Sequence, residues 1–388
     1  RAAMATDVHS PQDAHRCGGI KTVSEECIAL LRGHREAVQG VVFWPQDHRL
    51  VISTSVDRTA KVWSTIDVKC LTTLSGHEGP VTDASISPDG SLCVTASTDG
   101  VARVWNIRDG RCLALSNKHQ GRVTAAKFMP GSNSWVLLAG SGVRDTVARI
   151  WVWNERKYAM KFGVEATRSV GHASGICDAL CTRDSRYVAT ASTDTTCKVW
   201  DVRRGERLHD LVGHGDAVSR VRATPTTLLT GSDDGTARIW DLNQGLCSMR
   251  LTNHQSRLTV CEFSPDGSSV LTAAGEIGLV HQVHNGSVTR TLKGHGGGVT
   301  DGKFSCVGPD EVLVGVLSCE DTDCHVWHIP YPAMQAQQTK LQGHVGRVNG
   351  VDVVQSGAHV HVASACDDGD IRIWRWHPHA STSEPPQG

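Results

Sequence analysis

Short apolar runs, broken at close intervals by Gly, Asp, Ser and Pro, recur along the chain, a pattern of strands and turns rather than of helices. The clearest stretch lies between Gly171 and Asp201. It reads as a Gly171-His172 pair, an apolar run, Ser192-Thr193-Asp194, then Lys198-Val199-Trp200-Asp201. Its ending recurs as Asp57 to Trp63, Asp99 to Trp105, Asp145 to Trp151, Asp234 to Trp240, Asp321 to Trp327 and Asp368 to Trp374, with the Asp six residues before the Trp each time. Its opening recurs as Gly33-His34, Gly76-His77, Gly213-His214, Gly294-His295 and Gly343-His344, and with Gly replaced as Lys118-His119 and Asn253-His254, which makes eight units. In the strand before Trp63, Ala60 and Val62 point one way and Lys61 and Trp63 the other. Apolar bulk on both faces suits a sheet sandwiched between two others.

Turn chemistry divides each unit. Ser87-Pro88-Asp89-Gly90 and Ser264-Pro265-Asp266-Gly267 join first to second strands, with Pro pre-setting φ and Gly supplying freedom. Thr98-Asp99-Gly100, Asp233-Asp234-Gly235 and Asp367-Asp368-Gly369 turn second strands into third. A period of about 40 to 50 residues opening on Gly-His and closing on Trp-Asp resembles the WD40 repeat, whose units are the four-stranded blades of a propeller. The resemblance runs from about His34 to Trp374. It implies an all-β fold, a single eight-bladed propeller of four-stranded antiparallel blades. After the last Trp no outer strand follows, whereas Cys27 to Leu31 precede the first Gly-His as a spare one. Pairing the two closes the ring and removes an open edge. The expected organisation is an N-terminal tail over 1–24, a propeller over 25–379 and a C-terminal tail over 380–388. Residue 1 is Arg, so the start reads as processed or incomplete, with Met4 a candidate first residue.

The length of 388 residues would suit two or three domains, but the repeat makes one ring. A formal charge of −1 gives no general pull toward nucleic acid or an anionic membrane, so contact with nucleic acid is expected only through an assembly, and no apolar run approaches a bilayer span. The 14 cysteines form no C-x-x-C pair; Cys93, Cys197 and Cys261 lie in strand patterns, and Cys177 and Cys181 on one strand are too far apart to bridge. Free thiols fit a reducing, cytoplasmic compartment, with cytoskeletal, ciliary or other large-assembly association open.

His172, Ser192 and Asp194 have the residue types of a nucleophilic triad, but an enzyme needs one such set and here it appears in most units. The WD40 resemblance implies instead a hydrogen-bonded structural tetrad in each blade. It carries over to His34, Ser55, Asp57 and Trp63; to His77, Ser97, Asp99 and Trp105; to His172, Ser192, Asp194 and Trp200; and to His214, Ser232, Asp234 and Trp240. Val143, Cys319 and Cys366 replace that Ser in the third, seventh and eighth units, where Ser141 and Ser364 are candidate substitutes. The sixth unit has Gly275 for Asp and His281 for Trp, and is expected to lean on its neighbours rather than on a polar network of its own. Cys319, Cys324, His325 and His328 match no standard zinc spacing, and no metal or other cofactor is expected.

Individuality lies in departures from the repeat. The unit after Trp151 is long and carries Trp153 and Tyr158 among cations, and the seventh is extended through Ile329-Pro330-Tyr331-Pro332. On the ring face that WD40 proteins use, the resemblance puts Arg122, Arg144, Arg257 and Arg347 with Asp233, Glu320 and Asp367. The expected role is a non-catalytic protein-interaction scaffold, a subunit of a larger assembly, receiving an acidic or phosphorylated protein segment and no small-molecule substrate. The alternative is a substrate receptor of a cullin-RING ubiquitin ligase, since Trp200-Asp201-Val202-Arg203 resembles the WD-x-R box, with Trp105-Asn106-Ile107-Arg108 a looser copy.

Overall fold

A computed structural model describes residues 26–44, 47–117, 119–141, 146–155, 157–162, 171–307, 312–329, 336–357 and 359–376. Its strands form eight four-stranded antiparallel sheets. Seven are built from consecutive strands, over 38–75, 81–115, 122–162, 176–211, 218–251, 260–292 and 299–341, and are blades one to seven here. Blade eight takes three strands from the C-terminal end, Val348–Ser356, His359–Cys366 and Ile371–Trp376, and its outer strand, Glu26–Leu31, from the other end of the chain. In that closure Leu31 pairs with Ile371 and Cys27 with Trp374, and Arg32 meets Asp370 at 3.3 Å. The closing strand begins one residue earlier than the sequence suggests, at Glu26, whose carboxylate pairs with Arg375. No helix among the described residues is long and apolar enough to cross a membrane.

Within each blade the turns follow from the residues named above. The chain bends at Ser87 to Gly90 because Ser87 Oγ donates to Asp89, while Gly90 N donates to Ser87 O at φ 73°. A side chain there would run into the Trp44 ring of blade one, so this turn needs glycine twice over.

The core lies between blades rather than within them. Trp105 of blade two packs with Ile52, Val62 and Leu74 of blade one; Trp200 of blade four packs with Leu137, Ala139 and Ile150 of blade three. Trp63 packs across the closure with Leu31, Ile371 and Ile373 of blade eight. The third-strand tryptophan, present in every blade but the sixth, is thus a plug in the seam with the preceding blade. Nearer the axis, charges link the innermost strands. Lys127 meets Asp83 at 2.6 Å, and Arg222 bridges Asp178 and Glu262 at 2.7 Å each, with Lys303 3.0 Å from Glu262. Asp352 of blade eight accepts the N–H of Phe43 in blade one at 2.8 Å. Among the described residues no two cysteines are bonded.

Candidate interaction face and the blade tetrads

The repeated polar residues form a relay in five blades. In blade one Trp63 Nε1 donates to Ser53 Oγ at 2.8 Å, Ser53 Oγ lies 2.7 Å from His34 Nε2, and His34 Nδ1 lies 2.8 Å from Asp57 Oδ2. Directions follow from the chemistry: the ionised carboxylate only accepts, so Nδ1 carries the ring proton and bare Nε2 accepts the hydroxyl hydrogen. Blades two, four, five and eight repeat it through His77, Thr95, Asp99 and Trp105; His172, Thr190, Asp194 and Trp200; His214, Thr230, Asp234 and Trp240; and His344, Ser364, Asp368 and Trp374. The Asp also accepts the N–H after the histidine, and in blades one, four and five a threonine hydroxyl from the turn. Burial alone would raise Asp57, but donation from Thr59, His34 and the Arg35 N–H outweighs it and holds the carboxyl at about 2. Burial pushes His34, His77, His214 and His344 below the usual imidazole range.

The hydroxyl is not the one the sequence suggests. Ser55, Ser97, Ser192 and Ser232 stand outside the relay; Ser53, Thr95, Thr190 and Thr230, two residues earlier, belong to it. Both positions face the same side of the strand, since side chains alternate with period two. Only the earlier one lies beside the Trp. Val51 pairs with Trp63, so residue 53 meets the indole, while residue 55 is at the turn. There Ser55 Oγ donates to the carbonyls of Glu36 and Ala37 and accepts the N–H of Asp57, fastening the turn instead. A hydroxyl ten residues before each of Trp63, Trp105, Trp200, Trp240 and Trp374 was the available signal. Ser364, a suggested substitute in blade eight, occupies the ordinary place.

Three blades depart. The place of Ser53 is taken by buried Leu138 in blade three and Leu317 in blade seven. Ser141 pairs with Arg122 at the far end of its strand, away from Trp151; Val143, Arg144 and Asp145 lie outside the described residues. Blade six does have a polar network, contrary to expectation: Thr272 Oγ1 lies 2.8 Å from His254 Nε2 and 3.0 Å from His281 Nε2, so a second imidazole stands in for the indole. In blade seven His295 turns Nδ1 to Cys319 Sγ at 2.8 Å, and the buried Trp327 N–H has no hydrogen-bond partner among the described residues.

The ring face is organised by one backbone bond that repeats. Thr98 N donates to Pro80 O, Asp233 N to Ala217 O, Glu320 N to Gly298 O and Asp367 N to Arg347 O, so the residue before each turn Asp sits beside the residue before each inner strand. Arg122, Arg257 and Arg347 each directly precede an inward-pointing Val123, Leu258 or Val348 on this rim, and all three are exposed. Arg347 meets Glu320 of the neighbouring blade at 3.2 Å, Asp367 accepts from Asn349 at 2.8 Å, and Asp233 is half-buried. Trp153 is elsewhere. Its 3₁₀ turn, Trp153–Glu155, lies at the opposite end of blade three from Arg122, and its ring packs half-buried with its N–H on Asn133 O at 2.7 Å. Tyr158 belongs to the strand Lys157–Phe162, but its side chain lies outside the described residues, as do Pro330, Tyr331 and Pro332.

The model of the family described as "WD domain, G-beta repeat" matches residues 25–64, 68–106, 165–201, 205–241 and 335–375, together half of the chain. Among curated proteins, the chain is 28% identical over 194 residues to the small ribosomal subunit protein RACK1y of Oryza sativa subsp. japonica, covering 48% of this chain and 41% of that one. It is 39% identical over 67 residues to pre-mRNA-processing factor 19 of Bos taurus, covering 17% and 13%. The similarity to the DENN domain and WD repeat-containing protein SCD1 of Arabidopsis thaliana is 29% over 89 residues, covering 23% and 8%. The matched segments span less than half the length of these relatives. Among solved structures, the computationally designed Ika8 protein superposes with a TM-score of 0.74 at 24% identity, over 90% of this chain and 99% of that one, a likeness of fold alone. Eight closed blades, a repeated His–Asp–hydroxyl–Trp relay and five matched repeats together lead to one assignment: the chain belongs to the WD40 family of WD-repeat proteins.

Proposed function

We propose that this chain is a non-catalytic interaction scaffold, a subunit of a larger cytoplasmic assembly, whose ring face receives an acidic segment of a partner protein. The observation that carries the reading is the placing of Arg122, Arg257 and Arg347 at one repeated rim position, exposed, while the His–Asp pairs that could do chemistry are spent on buried indoles and hydroxyls. A planar guanidinium offers two parallel donors to a carboxylate or a phosphate, and Arg is enriched at interface hot spots. Relatives named for a ribosomal subunit and for pre-mRNA processing agree with a place in an assembly. Affinity purification of the Arg122→Glu, Arg257→Glu double variant tests it. Partners seen with the wild-type chain are expected to be lost; retention of every one of them refutes the reading.

A narrower reading, docking on a cullin adaptor, rests on exposed Arg203, whose N–H is held by Asp201 Oδ1 at 2.8 Å. Asn243 makes the same bond to Asp241, so this geometry is that of an ordinary blade turn. A wild-type purification without an adaptor removes this reading; an adaptor lost with Arg203→Ala supports it.

A further inference from the structure

We propose that blade seven holds a divalent transition-metal ion, zinc by the character of its donors, on His295, Cys319 and His325. The site arises from three departures within one blade. Leu317 removes the hydroxyl of the relay, Cys319 stands at the turn position that Ser55 or Ser192 fills elsewhere, and His325 stands two residues before the Trp. In six blades that last position is a cation: Lys61, Arg103, Arg149, Lys198, Arg238 or Arg372. Arg238 and Arg372 reach the carbonyl of the Gly beside the blade's histidine, at 2.6 and 2.7 Å, so in those blades a positive charge sits over that corner. Blade seven has an imidazole there instead.

The donors converge. One ligand atom from each of His295, Cys319 and His325 lies within 4.8 Å of the others, and all three residues are buried. His295 Nδ1 faces Cys319 Sγ at 2.8 Å, the two imidazoles are 4.3 Å apart between ring centres, and the buried His295 Nε2 has no hydrogen-bond partner among the described residues. Asp321 Oδ2 lies 3.3 Å from His325 Nε2. One thiolate and two imidazoles suit zinc, which favours N and S donors and takes water at an open fourth place, and Asp321 stands beside His325 as a nearby negative charge. The charges balance, two positive on the ion against the Cys319 thiolate and the Asp321 carboxylate, which is what a buried ion requires. The His325 ring is also fixed from outside, with the Gln338 amide nitrogen 2.6 Å from Nδ1. The segment that follows His295 is Gly296-Gly297-Gly298, and Cβ atoms there would lie 3.1 to 3.2 Å from Glu320 and Asp321, so this close approach favours glycine.

Blade eight is the internal control. His344, Cys366 and Asp368 also lie close together, but there the hydroxyl relay is complete, with His344 on Asp368 at 3.1 Å and on Ser364 at 2.8 Å, and Arg372 keeps the cation position. Cys324 and His328, weighed as ligands from the sequence, stay out of the cluster: Cys324 faces the core shared with blade eight and His328 lies against Trp376.

Titration of the chelator-stripped full chain with cobalt(II) tests the proposal. One equivalent is expected to bind, with the strong visible bands of tetrahedral cobalt and a thiolate-to-cobalt charge-transfer band, and zinc is expected to displace it. Cys319→Ser should lose the charge-transfer band. His325→Arg restores the residue type of other blades, should fold, and should weaken binding by more than the roughly 10- to 100-fold that follows loss of an outer partner. Cys366→Ser should change nothing. Absence of a cobalt spectrum in the wild-type chain, a spectrum unchanged by His325→Arg, or one lost with Cys366→Ser would each overturn the assignment.

Discussion

At the scale of the residue, the relay makes a prediction that the sequence alone would have misassigned. Thr190→Val keeps the shape of the side chain but removes the hydroxyl that joins the Trp200 N–H to His172 Nε2. Two buried polar groups lose their partner, each at a cost of about 1 to 3 kcal/mol. Ser192→Ala removes only a turn fastening and should cost about 1 kcal/mol. Equal destabilisation of the two in urea would contradict the relay. The His, Asp and Trp were readable because a fixed spacing repeats; the hydroxyl was not, because residues 190 and 192 share a strand face and only the pairing of Val188 with Trp200 says which one meets the indole. A second prediction concerns acid. Burial, aided by the charge of His281, pushes His254 down from 6.5 to about 4. The folded state therefore favours the neutral ring, so this group's contribution is complete above pH 6.5 and is lost as pH falls toward 4. Asp352 opposes it. Burial raises its carboxyl to about 6 against the pull of Lys303, so its contribution is present below 3.8 and lost as pH rises through 6. Melting curves between about pH 7 and pH 4 should fall less steeply for His254→Gln and more steeply for Asp352→Asn than for the wild type. Unchanged slopes would refute both assignments.

At the scale of the element, the blade and its seam are distinct objects. Each tryptophan belongs to one blade by hydrogen bonding and to the seam by packing, so Trp200→Ala should loosen the contact between blades three and four, at about 3 to 5 kcal/mol. His281→Ala should cost less. Although His281 bonds Thr272, it is smaller than an indole, and Leu258, Cys261 and Val270 fill the apolar seam between blades five and six. Equal losses of melting temperature would mean that the worn blade depends on its imidazole as the others depend on their indoles. Turns and strand order were legible because Gly, Pro and Asp mark them. The blade-six network was not, since Thr272 reads as an ordinary strand threonine until two imidazoles are seen to converge on it.

At the scale of the molecule, closure was legible from a missing strand at one end and a spare one at the other, and the register of Leu31 on Ile371 bears it out. What the repeat could not show is which rim residues face each other across blades, as Arg347 and Glu320 do, or that Trp153 lies on the face opposite Arg122. Such contacts depend on the rotation between neighbouring sheets, which no single unit encodes. The central claim is a division of labour: buried relays hold the ring and rim arginines hold the partner. One paired measurement tests it most directly, melting temperature and partner recovery for Thr190→Val beside the Arg122→Glu, Arg257→Glu double variant. The account expects Thr190→Val to melt lower yet keep its partners at a temperature where it is folded, and the double variant to melt as the wild type does yet lose them. The opposite pattern, partners lost with the hydroxyl and kept with both charges reversed, would contradict it.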